Sequence, residues 1–386
     1  MSLPRATLAA VISLSLANFG VALSAFLIVG ILPQMAGDLG VSEAAMGQVF
    51  TLYAAVYAVA SPLLVTVTGR LPCRVLLLAS LGLIALAGVV SALADGIGMV
   101  LAGRVLAAFG AALCSPVAAS VAYAVAPAGE RGRALSIAFA GFQIAQAAGV
   151  PLAVLVAGLA GWPAAFWLGV VVVLAAMAAI RVTLPARVDT PVPTFAGLRL
   201  ALRDGRGLAM VSMTMLHITA MCVVYTYLAP LALRHGAHEG LPVGLYGLGG
   251  IGASLFLGVV IARLGPARVR FGIAASQLVF LPLFSLPLLT GAPMGAAAIG
   301  GLTLLWSAFG VGFLVPQQVL LVERMPERGT IMLGLNATSN YLGLAFGAAI
   351  GGGVISLLGL DWLGVGAVAC AAVALTALVI SERQWR

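Results

Sequence analysis

The chain of 386 residues is 62% hydrophobic and only 8% charged, with a mean hydropathy of +1.17. A water-soluble domain carries about a quarter charged residues, so this composition excludes a soluble globular fold. The net charge of +8 comes from 19 basic residues, all arginine, and no stretch interleaves them with aromatics on one surface, which excludes nucleic acid as a partner.

In chain order, roughly twelve apolar runs reach the ~20 residues that a membrane crossing requires. They lie near 8–32, 46–68, 75–94, 97–126, 134–158 and 162–182, then near 207–233, 241–263, 269–289, 295–322, 330–358 and 362–380. The opening run is long and has no A-x-A cleavage site close behind it, so it reads as a retained first helix rather than a signal peptide. Charge alternates between successive loops. One set holds Arg5, Arg70, Arg74, Arg131, Arg133, Arg181 and the later loop arginines, Arg263, Arg268 and Arg270 among them; the opposite set holds only Arg234. Basic loops stay cytoplasmic, so both termini are expected in the cytoplasm, and the lipid bilayer is the expected surroundings.

The loop from Thr183 to Gly207, rich in Pro and Arg, divides the chain into residues 1–183, a linker 184–206 and residues 207–386. The two parts echo each other. Glu130-Arg131-Gly132 follows the fourth helix and Glu327-Arg328-Gly329 the tenth, each preceded by a proline, Pro116 and Pro316. "GRLPCRVLLL" follows the second helix and "ARLGPARVRF" the eighth. Repeats in the same order, six helices apart, fit a parallel duplication about an axis along the membrane normal. The expected fold is therefore an all-α polytopic membrane protein with twelve transmembrane helices in two pseudo-symmetric six-helix bundles and a binding site where the halves meet.

Polar side chains in hydrocarbon cost several kcal/mol unless partnered or wet. Here they are segregated: helices three, six and twelve hold almost none beyond Ser and Thr, and nine adds only Gln277. The rest fall on the other helices, which points to a central hydrated space. Asn18, Tyr57, Gln143, Gln146, His217, Tyr227, Asn336 and Asn340 are the expected substrate-binding residues; Gln143 with Gln146 and Asn336 with Asn340 share helix faces at spacings of three and four. The competing reading is that such amides only bond neighbouring helices, each worth about 0.6 kcal/mol.

Arg104 sits inside the fourth run, where a charge costs about 2.5–3.5 kcal/mol to insert on translocon scales. It is either a structural charge pinned by helix carbonyls or a fixed cation that takes part in proton coupling. An Asp38–Arg104 pair formed in one conformation is expected for the second role, with His217 as a further proton-coupling group because its ordinary pKa, about 6.5, is near neutral. No Asp or Glu lies in mid-membrane, so the substrate is expected to be a small molecule that is neutral or weakly anionic. Cys73, Cys114, Cys222 and Cys370 lack metal-ligand spacing, no phosphate-binding G-x-x-x-x-G-K-[ST] loop is present, and no Ser/His/Asp arrangement is visible. No metal, no cofactor and no enzyme activity are expected.

Several stretches carry a wider likeness: "GILPQMAGDLGVS" closing the first helix, "GRLPCRVLLL" after the second, "LAGRVLAAFGAALCSP" in the fourth, "GFQIAQAAGVPLAVLVAGLAGW" in the fifth, "YTYLAPL" in the seventh and "NATSNYLGLAFGAAIGGGVI" in the eleventh. Together the chain resembles the major facilitator superfamily, in the twelve-helix drug:proton antiporter branch that includes bacterial arabinose, purine-nucleoside and phenicol exporters. The resemblance implies a monomeric secondary transporter of the bacterial inner membrane, exporting its substrate against protons by alternating access. It also implies conformational roles for Gly69, Arg70 and Arg74 in the loop after the second helix and for Gly149 and Pro151 in the fifth, and it matches Arg104 to the buried arginine of the fourth-helix motif. The acidic residue usual in the loop after the second helix is missing here. An importer or uniporter of a sugar, nucleoside or organic acid on the same fold is the alternative.

Overall fold

The computed structural model describes residues 3–127, 130–186, 188, 199–200, 202–325 and 329–383. Among them every regular element is a helix, as hydrocarbon requires: an unsatisfied backbone group there costs several kcal/mol, and a helix satisfies its own. In order they are α1 (Arg5–Asp38), α2 (Glu43–Thr68), α3 (Cys73–Ala92), α4 (Ile97–Val125), α5 (Arg131–Ala160) and α6 (Trp162–Thr183), then α7 (Gly205–Arg234), α8 (Gly240–Leu264), α9 (Pro266–Thr290), α10 (Ala296–Arg324), α11 (Gly329–Leu358) and α12 (Leu360–Arg383). Of these, 11 are long and apolar enough to cross a membrane, and the number is 12 when α8, bent by 47°, is taken as one span. About half of the linker expected at 184–206, residues 187, 189–198 and 201, falls outside the described residues. Where helices follow closely, backbone chemistry makes the corner: Gly265 ends α8 at φ +80, a conformation open to glycine, and Pro266 opens α9.

The chain forms two compact units. Unit 1 comprises Met1–Ile28 and Val56–Phe195; unit 2 comprises Val29–Ala55 and Ala196–Arg386. In unit 1, α3 packs on α4 and α6. Lipid gives helices no hydrophobic drive to associate, so close backbone approach supplies the contact. A Cβ on Gly110 would lie 2.6 Å from the Ser80 carbonyl oxygen, and one on Gly88 would lie 2.6 Å from Val170.

In unit 2, α7 packs on α11 and α12, and α8 on α10. The same device recurs: Cβ atoms on Gly343 and Gly347 would lie 2.6 Å from the carbonyl oxygens of Met215 and Thr219. The seventh apolar run was expected as one helix, but α7 opens into a turn at Thr226–Tyr227. Pro230 has no N–H to offer the Thr226 carbonyl four residues back, and the Thr226 hydroxyl instead turns back to the Cys222 carbonyl at 2.9 Å.

Candidate transport site

Within unit 1 the candidate residues lie along α1, α2, α4 and α5. Asn18 is fully buried and its amide nitrogen donates to the Ala138 carbonyl of α5 at 2.9 Å. The seam around it is built from glycine: a Cβ on Gly141 would collide with the Ser15 carbonyl, and one on Gly149 would come within 2.9 Å of the Phe19 ring. Just past Asn18's partner, α5 widens into a π-turn at Ala145–Gly149, where the Val150 N–H donates to the Ala145 carbonyl five residues back. Pro151 explains the widening, since it cannot donate to Ala147. The expected conformational pair Gly149 and Pro151 thus builds an irregular turn of the kind found at functional sites. Gln146 lies in that turn and Gln143 just before it, both half-buried; Tyr57 of α2 is buried.

Arg104 is 1% exposed. Its Nη1 donates to the Ser24 carbonyl of α1 at 2.6 Å, and its guanidinium lies 5.3 Å from the centroid of the Phe166 ring on α6. The cation is therefore held inside unit 1 by a backbone dipole and an aromatic face, and turned away from lipid. Gly69 and Arg70 form the turn between α2 and α3, with Arg70 exposed, and Arg74 in the first turn of α3 donates to the Arg181 carbonyl near the end of α6.

Unit 2 places its candidates on α7 and α11, with Asp38 at the end of α1. The imidazole of His217 stacks on Phe313 at 4.0 Å and 11°, with Nε2 3.2 Å from the Gly310 carbonyl oxygen. That carbonyl stands where α10 tightens into a 3-10 turn at Val311–Phe313, so the histidine serves a helix break. One turn earlier on α7, the Thr214 hydroxyl donates to Asn336 Oδ1 of α11 at 2.5 Å. Asn340, the next turn of α11, is half-buried. At the α7 break, the Tyr227 phenol donates to the Ala348 carbonyl at 3.1 Å. Cβ atoms on Gly351 and Gly352 would lie 2.7 and 2.8 Å from that side chain, and one on Gly47, at the start of α2, would overlap the phenol. One ring thereby fills a cradle that only glycine leaves open. Asp38, the last residue of α1, is exposed.

Sequence reasoning passed over a second polar network in unit 2. Arg270, counted above with the loop arginines, is buried in the first turns of α9; its guanidinium donates to Gln317 of α10 and to Glu382 of α12. Arg324 grips the same carboxylate through two bonds at 2.9 and 2.8 Å, and Gln317 Nε2 donates to the Met210 carbonyl of α7 at 2.6 Å. Four helices are tied by one cluster of paired charge. The repeat of "GRLPCRV" in "ARLGPARVR" gave no signal for it, because Arg74 aligns with Arg268 and donates to the backbone carbonyl of Arg181, whereas Arg270 stands two residues further on and meets side chains. Deeper in unit 2, the Trp306 indole donates to Gln277 Oε1 at 2.7 Å among Tyr246 and Phe284. Among the described residues no group of three or more His, Cys, Asp or Glu is placed to hold a metal ion.

This geometry has clear relatives. The Major Facilitator Superfamily model matches residues 14–347. The chain is 31% identical over 370 residues to "uncharacterized MFS-type transporter YbcL" of Bacillus subtilis, spanning 94% of this chain and 93% of that protein. It is 28% identical over 379 residues to YtbD of the same organism, also named as an MFS-type transporter, spanning 94% of each. A crystal structure of a POT peptide transporter superimposes with a TM-score of 0.80 at 15% identity, covering 97% of this chain and 94% of that one. A bacterial homologue of the lysosomal transporter Spinster, crystallised inward-facing and unoccupied, gives 0.76 at 14%, covering 99% and 98%. These structures share the fold. With the family model spanning most of the chain and relatives matched nearly end to end, the protein belongs to the Major Facilitator Superfamily and is a multi-pass membrane transporter, not an enzyme.

Proposed function

We propose that the chain exports a small neutral or weakly anionic organic compound, such as a drug, nucleoside or sugar-like molecule, in exchange for protons. On this reading two six-helix bundles, residues 1–183 and 207–386 joined by the linker 184–206, alternate access across the bacterial inner membrane, with both termini cytoplasmic and the monomer as the working unit. The observation that carries it is the placement of charge. Arg104 is a buried cation bonded inside unit 1, whereas every described acidic residue lies within two residues of a helix end or between helices. A fixed buried cation, with the described carboxylates confined to helix ends and loops, disfavours organic cations and tolerates neutral or anionic guests.

In this scheme Gln143, Gln146 and Asn340, the half-buried amides, make first contact with substrate, while Asn18, Tyr57, His217, Tyr227 and Asn336 shape the wall and exchange partners as the bundles move. Arg104, Asp38 and His217 carry proton coupling. Gly69, Arg70, Arg74, Gly149 and Pro151 act in the conformational change. The test is accumulation of candidate compounds in cells expressing the chain, before and after the proton gradient is dissipated. Accumulation is expected to rise. A fall would show coupled import, and no change would show a uniporter; either overturns proton-coupled efflux.

A further inference from the structure

Unit 2 holds another titratable cluster, at the end of the molecule where arginine is scarce and apart from the residues assigned above. α7 ends at Arg234, and His235 caps it. The imidazole is 1% exposed. Its Nδ1 accepts from the Met294 backbone N–H at 3.3 Å, in the turn before α10. A ring nitrogen that accepts carries no proton, so the neutral imidazole keeps its hydrogen on Nε2. Nε2 is buried with no hydrogen-bond partner among the described residues. The adjacent Arg234 donates to Asp361 Oδ2 at 3.0 Å. The other oxygen, Asp361 Oδ1, is likewise buried without a hydrogen-bond partner among the described residues. Two neighbouring residues at the end of α7 thus fasten two separate turns, the one before α10 and the one that opens α12.

The charged surroundings are few. The turn before α10 reads Gly-Ala-Pro-Met-Gly at 291–295 and carries no charge. Asp361 acts on the ring from α12, and Arg234 from α7 itself. His238 and Glu239 follow on the same turn, and His238 Nδ1 is already engaged by the Gly240 N–H at 3.2 Å. Adding a proton to His235 would place a second N–H against the Met294 N–H, and two donors cannot share that bond. The charged ring would then lie in the field of the Asp361 carboxylate, whose Oδ1 has an acceptor site to offer.

We propose that His235 is a proton-binding site at this end of the transporter that switches between two partners: neutral, it holds the turn before α10 through Met294; protonated, it releases that turn and pairs with Asp361. The segment Leu228–Arg234, set off from the rest of α7 by the break at Thr226–Tyr227, loses one of its two far-end ties when the switch turns. Burial holds His235 below the ordinary histidine range, with Asp361 pulling it up and Arg234 pushing it down. A depressed histidine contributes stability that is present at high pH and lost as the pH falls through its folded value, so acid opens the latch. The basic-loop rule puts this end outside the cell, where an imposed proton gradient is acidic. The inference does not depend on the direction of transport or on the substrate.

The experiment is backbone hydrogen exchange on the full-length protein in nanodiscs, corrected for intrinsic exchange rates, from about pH 8 to about pH 4, bracketing the ordinary histidine range. Protection at Met294 should fall at least about fivefold on acidification, the factor that one hydrogen bond of ordinary net strength is worth. His235→Gln keeps an acceptor for the Met294 amide but cannot titrate, so its protection should stay high and flat. Asp361→Asn should move the release to lower pH. Nitrogen NMR of labelled histidine in the wild-type chain reads the same switch without any variant, and should show the Nε2–H form at high pH. Flat wild-type protection, an unchanged acid release in His235→Gln, or an Nδ1–H form at high pH would each overturn the proposal.

Discussion

The two compact units solve the problem of buried polarity in different ways. In unit 1 most partners between helices are backbone carbonyls: Asn18 donates to Ala138, Ser61 to Ala112, Arg74 to Arg181 and Arg104 to Ser24, while Thr183 meets the Ser13 hydroxyl. A carbonyl is fixed in its helix, so these bonds lock one helix to another at a single register. In unit 2 much of the buried polarity pairs side chain with side chain: Thr214 with Asn336, Trp306 with Gln277, and Arg270 and Arg324 with Glu382. Such partners can be exchanged by rotation about χ angles while the helices stay intact. Unit 1 reads as a frame around a fixed cation, and unit 2 as the part whose internal bonds can be re-dealt.

The sharpest way to break this comparison is to remove a shared partner in unit 2. Glu382→Ala leaves Arg270 buried without its carboxylate and should cost about 3 kcal/mol, since stripping one side of a buried ion pair strands the other; reversible unfolding in mixed micelles measures it, and Glu382→Gln should restore part. In unit 1 the vulnerable element is the seam. Gly141→Val drives a side chain into the Ser15 carbonyl, which cannot retreat, so a loss of about 2 kcal/mol is expected, within the range of overpacked cores. Size-exclusion recovery of folded protein reports it, and Gly149→Ala should lose less because the Phe19 ring can shift.

Arg74→Ala removes a tie whose arginine is partly exposed, and a drop of no more than about 1 kcal/mol in the same unfolding assay is expected. The smallest effect belongs to the Thr214–Asn336 pair. A double-mutant cycle with Thr214→Val and Asn336→Ala should return a coupling near 0.6 kcal/mol, the average for polar pairs between membrane helices. A coupling several times larger would make that bond a lock and erase the contrast between the units.

Much of the fold was legible because it rests on bulk properties. Apolar runs of spanning length and the doubled "GRLPCRV" and "ARLGPARVR" stretches need only composition and spacing. The identity of each partner was not, because it depends on which backbone group a side chain meets after folding. Ala138 lies 120 residues from Asn18, and no pattern in either segment announces the bond. Arg270 reads as one more loop arginine until α10 and α12 supply Gln317 and Glu382. His235 was invisible for the opposite reason: its partner is the amide of Met294, a group every residue but proline carries. The π-turn in α5 lies between these cases, since Gly149 and Pro151 stood out as a motif while the widened turn follows from the missing N–H and the close approach of Phe19.

The central claim, proton-driven movement of compounds without positive charge, is tested most directly by the purified chain in proteoliposomes under an imposed pH gradient, with neutral antibiotics, nucleosides, sugars, weak acids and a quaternary ammonium compound offered in turn. Expected is movement of a neutral or weakly acidic compound opposite to the proton flow, abolished when the gradient collapses, with the quaternary ammonium left behind. Preferential transport of the quaternary ammonium, or substrate movement indifferent to the gradient, would contradict it.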